Sequence, residues 1–139
     1  MTTKVVLGFT EIAHRLKATP LPDVDLVVGI ARGGVVPASL AAYQLDRPLQ
    51  VMRVQYRADD NQPMHDAPLL LSQPPLPDGH LRILLVDDVC VSGRTMQAAR
   101  LALAGHEVVT LVCKGQGDYI LFPEIGECVV WPWNVEPAP

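Results

Sequence analysis

The chain has 139 residues, 49% of them apolar and 19% charged, with a formal net charge of −4. That length suits one domain with a sizeable core, and the apolar content excludes a chain that is disordered throughout. No apolar run is long enough to span a bilayer, and the acidic balance argues against nucleic acid as the main partner.

In chain order, Thr10 to Lys17 has helical spacing, with Ile12, Ala13 and Leu16 on one face, and Pro20 and Pro22 end it. Asp25 to Ile30 reads as a short buried strand that runs into Ala31-Arg32-Gly33-Gly34. Helical residues resume from Pro37 to Leu45, with Pro37 suited to a first turn. Leu49 to Tyr56 alternates as a second strand. From Arg57 to Gly79 the residues Pro63, Pro68, Pro74, Pro75 and Pro77, with Asp59, Asp60, Asn61 and Asp66, break regular structure. A connection this long predicts a functional lid, about 57–80, or a disordered loop. Leu69-Leu70-Leu71 is expected to form a brief strand within it.

Leu81 to Val86 is the third predicted strand, Thr95 to Ala104 a helix closed by Gly105, and Glu107 to Cys113 the fourth strand. Tyr119 to Leu121 and Cys128 to Val130 make a strand-rich tail before Trp131-Pro132-Trp133. Strands alternating with helices predict an α/β fold with a doubly wound, mostly parallel sheet, in one domain over 1–139.

Cys90, Cys113 and Cys128 are odd in number and lack metal-ligand spacing. They read as reduced thiols, Cys90 in a loop and Cys113 in a strand, which fits a cytoplasmic protein. The start of the chain shows no basic stretch followed by an apolar core, so no secretory signal is expected. His14, His65, His80 and His106 form no closely spaced pair, and a histidine metal site is not expected.

The run Ile83-Leu84-Leu85-Val86-Asp87-Asp88-Val89-Cys90-Val91-Ser92-Gly93-Arg94-Thr95 carries the most chemistry. A buried strand ends in two carboxylates, and a short loop delivers Ser92, Gly93 and Thr95 to a helix start. Ligands of open α/β sheets bind at the carboxyl ends of strands. A helix N-terminus offers N–H groups and a positive dipole end to phosphate. Carboxylates would repel that phosphate, so they suit sugar hydroxyls or a divalent cation. Phosphate beside a polyol, with magnesium, describes a ribose 5-phosphate group.

This run closely resembles the signature of type I phosphoribosyltransferases, which bind phosphoribosyl pyrophosphate. The resemblance covers most of the chain and is nearest in kind to the xanthine-guanine and hypoxanthine branch. It implies that Val91, Ser92, Gly93, Arg94 and Thr95 hold the 5-phosphate. It assigns Asp87 and Asp88 to the ribose hydroxyls as catalytic residues and to Mg²⁺. Arg32, Gly33 and Gly34 resemble the family's pyrophosphate loop. Lys114 matches the lysine that meets the exocyclic oxygen of a 6-oxopurine, and the tail resembles a small C-terminal hood over the base, about 119–139. Cys128, Val130 and Trp131 are its implied base-binding residues, and Trp133 matches a second, structural aromatic of the hood. The family also implies a homodimer or higher homo-oligomer.

Three departures accompany the resemblance. Cys128 stands where the branch carries its stacking aromatic, and Val91 stands where many 6-oxopurine enzymes carry an aspartate that serves the base's N7 proton. From Ala58 to His80 there is no Lys or Arg, although family lids often bring a basic or hydroxyl group onto pyrophosphate; Tyr56 and Arg57 are a loose match to that equipment. The implied reaction is transfer of a 5-phosphoribosyl group to a nucleobase, a purine by the nearest branch. The rival is a non-catalytic regulator that senses phosphoribosyl pyrophosphate. A dinucleotide-binding domain fails for want of Gly-x-Gly-x-x-Gly after the first strand.

Overall fold

A computed structural model describes residues 4–55 and 69–134 of the chain. The elements are β1 (Val5–Val6), α1 (Phe9–Ala18), β2 (Leu26–Ala31), α2 (Val35–Leu45), β3 (Leu49–Gln55) and β4 (Leu69–Ser72), followed by β5 (Arg82–Cys90), α3 (Arg94–Ala102), β6 (Glu107–Gly115), β7 (Tyr119–Ile120) and β8 (Val129–Val130). Six strands form one sheet in the order β4-β3-β2-β5-β6-β7. All neighbours in it are parallel except β3 and β4.

Leu69-Leu70-Leu71 therefore does pair, as the antiparallel edge next to β3. Of the expected lid, about 57–80, residues 57–68 lie outside the described residues, as does Tyr56.

Alternation along the strands sorts the core into two faces. Val27, Leu84, Val86, Leu111 and Cys113 pack with α1 and α2 through Ile12, Leu16, Ala38 and Ala41, and with Leu121, Phe122 and Trp131 of the tail. Leu26, Val28, Ile30, Ile83, Leu85 and Val112 pack instead with Met96, Ala99 and Leu103 of the α3 region. Helices on both faces of a largely parallel sheet make the fold doubly wound.

The tail closes over the first face. Its β8 pairs in parallel with β1, and Val5 and Leu7 N–H groups donate to the Cys128 and Val130 carbonyls. Arg15 of α1 holds it from the other side, donating to the Leu121 carbonyl and to both oxygens of Glu124, with its guanidinium 4.4 Å from the Phe122 ring centre. Strands of two residues are too short to show a period, so β1 was not legible in the sequence.

The other differences are in boundaries. Strand β5 does not stop at Val86 but continues to Cys90, because β6 also runs on and pairs Val89 with Lys114 and Cys90 with Gly115. Gly115 (φ +102°) lies so close that a Cβ there would be 2.0 Å from the Cys90 carbonyl oxygen. Cys90 is thus a buried strand residue rather than a loop residue. Helix α2 starts two residues before Pro37, and α3 ends at Ala102, three residues before Gly105 at φ +93°.

Candidate active site

Strand order places two loops side by side. From β2 the chain passes to β3 on one flank, and after β4 it returns to β5 on the other. The sheet therefore reverses its direction of winding between β2 and β5, and the crevice beyond their carboxyl ends is the expected ligand position. Residues 32–34 leave the end of β2, and residues 91–93 leave the end of β5. Lys114, near the end of β6, sits one strand further along, paired in register with Val89.

The acid pair belongs to strand β5 itself. The strand's alternation puts Asp88 on the α2 and tail side with Leu84 and Val86, and Asp87 on the α3 side. Asp87 Oδ1 accepts from the Asp88 N–H at 2.8 Å, and Asp88 Oδ1 accepts from the Val89 N–H at 2.7 Å. Desolvation by the surrounding protein, and then the neighbouring Asp88 charge, push the Asp87 carboxyl well above the ordinary carboxylate range. Each acid accepts one backbone N–H, and Asp88 accepts a side-chain donor as well.

Gly33 lies against Asp88. A Cβ there would be 2.1 Å from Oδ2 and 2.3 Å from Cγ, so only glycine lets the loop approach the carboxylate. At Gly34 a Cβ would meet the Val86 and Ile30 carbonyl oxygens at 2.4 and 2.7 Å. The peptide between Ala31 and Arg32 is cis. Within this turn the Gly34 and Val35 N–H groups donate to Ile30 and Arg32 carbonyls, and Pro37 has none to offer. The start of α2 is consequently a less open anion cradle than its glycines imply.

The second loop is more open. Val91 and Ser92 are exposed, with Val91 76% accessible. Gly93 caps α3 at φ +80°, a left-handed conformation that suits glycine. Ser92 Oγ accepts from the Arg94 N–H at 3.3 Å, and the Gly93 carbonyl accepts from Gln97. Thr95 follows in the first turn, half-buried. Small residues with an N-terminal helix turn can hold an anion here.

The tail residues separate into two groups. Lys114 Nζ donates to the Glu127 carbonyl, with the Gly126 carbonyl at 3.5 Å, and this brings it next to exposed Cys128. Trp131 is placed elsewhere: only 4% accessible, it packs in the core beside Phe122 and stacks on Trp133. Its ring has no open face for a base. Val130 is half-buried and gives its carbonyl to Leu7. Trp133, expected as a structural aromatic, donates its Nε1–H to Asp88 Oδ2 at 3.4 Å. No spacing rule links positions 88 and 133.

Among the described residues no three His, Cys, Asp or Glu side chains are grouped to hold a metal ion, and no helix is long and apolar enough to cross a membrane.

Comparison with known proteins shows the family and the fold. The family described as phosphoribosyl transferase domain matches residues 9–119. The xanthine-guanine phosphoribosyltransferase of Cereibacter sphaeroides is 32% identical, covering 78% of this chain and 68% of that protein. The purine phosphoribosyltransferase of Pyrococcus horikoshii superimposes with a TM-score of 0.78 at 24% identity, over 98% of this chain and 97% of that one. The xanthine-guanine-hypoxanthine phosphoribosyltransferase of Helicobacter pylori gives 0.74 at 15% identity, over 96% and 93%. The two structural likenesses speak to the fold.

Proposed function

This chain belongs to the phosphoribosyltransferase family, and we propose that it transfers a 5-phosphoribosyl group from phosphoribosyl pyrophosphate to a purine base in nucleotide salvage, releasing pyrophosphate. The observation that carries this reading is the meeting of the 32–34 loop, the Asp87-Asp88 pair and the 91–95 loop at one reversal of the sheet.

In this reaction the bond from ribose C1 to pyrophosphate breaks and a bond from C1 to a base nitrogen forms. Positive charge develops at C1, so positioning and electrostatics carry most of the catalysis. Val91, Ser92, Gly93, Arg94 and Thr95 hold the 5-phosphate. Asp88, and Asp87 beside it, accept from the ribose hydroxyls, and Arg32, Gly33 and Gly34 hold pyrophosphate. Lys114 gives up a tail carbonyl to meet the exocyclic oxygen of the base, beside Cys128. Val91 carries no proton for N7, so the base brings or loses that proton without this side chain.

Two adjacent carboxylates suit Mg²⁺, a hard cation commonly held by one or two carboxylates together with substrate phosphates. Asp87 and Asp88 would hold it on the protein side, and it would supply charge stabilisation to the departing pyrophosphate. The reading includes a cytoplasmic homodimer or higher homo-oligomer; the cysteines Cys90, Cys113 and Cys128 are all free thiols.

Nucleotide formation from phosphoribosyl pyrophosphate and magnesium is the test, run against guanine, xanthine, hypoxanthine, adenine, uracil and orotate. Turnover with a purine is expected, lost in an Asp87→Asn, Asp88→Asn double variant. Binding of the activated sugar with no product from any base would instead favour the sensor.

A further inference from the structure

Asp88 is held between three chain segments that are far apart in sequence. Its Oδ1 accepts from the Val89 N–H of its own strand. Its carboxylate fills the space that a Gly33 side chain would need. Its Oδ2 faces the indole Nε1–H of Trp133 at 3.4 Å. An aspartate at the rim of a cleft ordinarily samples several rotamers; this one has a donor on each oxygen and the Gly33 backbone against it.

The indole is itself fixed. Trp133 lies parallel to Trp131, with an interplanar angle of 1° and ring centres 5.4 Å apart. Trp131 is a core residue, packed beside Phe122. The donor that meets Asp88 is therefore anchored to the closed tail. Lys114 makes a second link between site and tail through the Glu127 and Gly126 carbonyls.

We infer that Trp133 is a positioning residue: its indole N–H orients the Asp88 carboxylate towards the ribose hydroxyls, and so makes sugar binding depend on the closed position of the tail. The inference rests on the phosphoribosyl pyrophosphate reading above. Trp133 reaches the sugar only through Asp88. Each carboxylate oxygen has one donor here and keeps acceptor capacity for a ribose hydroxyl, and ordering the acid before binding lowers the cost of binding.

The test is a double-mutant cycle read by calorimetric titration with phosphoribosyl pyrophosphate and magnesium. Trp133→Phe keeps a ring on Trp131 and removes only the donor. It is expected to weaken sugar binding about fivefold, less than the loss of a direct hydrogen bond to a charged acceptor, because the indole orders Asp88 without touching the sugar. With Asp88→Asn already present, the same substitution is expected to have no further effect. Equal losses in both backgrounds would mean that Trp133 acts by general packing and would overturn the inference.

A second readout needs no Trp133 variant. The chain has two tryptophans, so its two indole N–H resonances can be told apart in the intact protein with a Trp131→Phe comparison. The Trp133 signal is expected to shift in Asp88→Asn and on adding phosphoribosyl pyrophosphate, but not on adding base alone. A signal unmoved by Asp88→Asn overturns the inference. Failure of the wild-type protein to bind the sugar at all is a different result, since it removes the functional reading first and this inference with it.

Discussion

The Asp88 carboxylate occupies the space in which a side chain at Gly33 would have to begin, 2.1 Å from its Oδ2. The pyrophosphate loop and the ribose-binding acid are therefore shaped by each other, although 55 positions separate them (88 minus 33). Gly33→Ala is expected to push the acid out of place, because the obstructing atoms are the end of a side chain rather than backbone. Affinity for phosphoribosyl pyrophosphate should fall about tenfold or more, while Tm drops by only about 3–5 °C. Wild-type affinity in Gly33→Ala would show that the acid's position does not matter to binding.

Asp88→Asn and Thr95→Ala test the two ends of the sugar phosphate separately. Each is expected to weaken binding of phosphoribosyl pyrophosphate by about tenfold, as for loss of a charge-assisted hydrogen bond. Only Thr95→Ala should weaken binding of inorganic phosphate measured alone, since Asp88 repels an anion. Unchanged affinity in either variant, measured by calorimetry, would remove that residue from the site.

Asp87 gives a pH dependence whose sign follows from its surroundings. Burial and the Asp88 charge raise its pKa in the folded protein. Below about 3.9 the group is protonated in folded and unfolded chains alike and costs nothing. As pH rises from there towards the raised native value, the unfolded chain ionises first and stability falls. Asp87→Asn is expected to raise Tm by about 3–5 °C at pH 8 and by nothing near pH 4, while weakening sugar binding. The same gain at both pH values would mean that the charge is not the cause.

The clamp of Arg15 on the tail has the opposite sign. The Arg15 hydrogen bond holds the exposed Glu124 carboxyl down at about 2. Its contribution is present above the ordinary carboxyl value of about 4.5 and is lost as pH falls through about 2. Glu124→Gln should shift Tm at pH 7 by no more than about 2 °C, since exposed ion pairs contribute little. Arg15→Ala also loses the Leu121 carbonyl and the Phe122 ring, and about 3–5 °C is expected. Thermal unfolding of the two variants side by side separates the salt bridge from the other contacts.

Unbroken apolar runs in Leu26 to Ile30 and Ile83 to Val86 were enough to predict buried strands, because a parallel sheet covered by helices on both faces buries both faces of its central strands. Glycines and small hydroxyl residues directly after those strands marked both loops, because their conformations are set within a few residues. The acid pair and the 91–95 loop stood out for the same reason, whereas Lys114 was marked only by the family resemblance. Tertiary structure alone decided that β5 and β6 run on together past the acids, that Trp131 is buried, and that Trp133 and Gly33 meet at Asp88. The strand pairing and the contacts at Asp88 join residues 25 to 55 positions apart in the chain, and the core around Trp131 reaches back to Leu7 and Ile12. Such contacts come from the order of strands and the closing of the tail, and no local pattern encodes either.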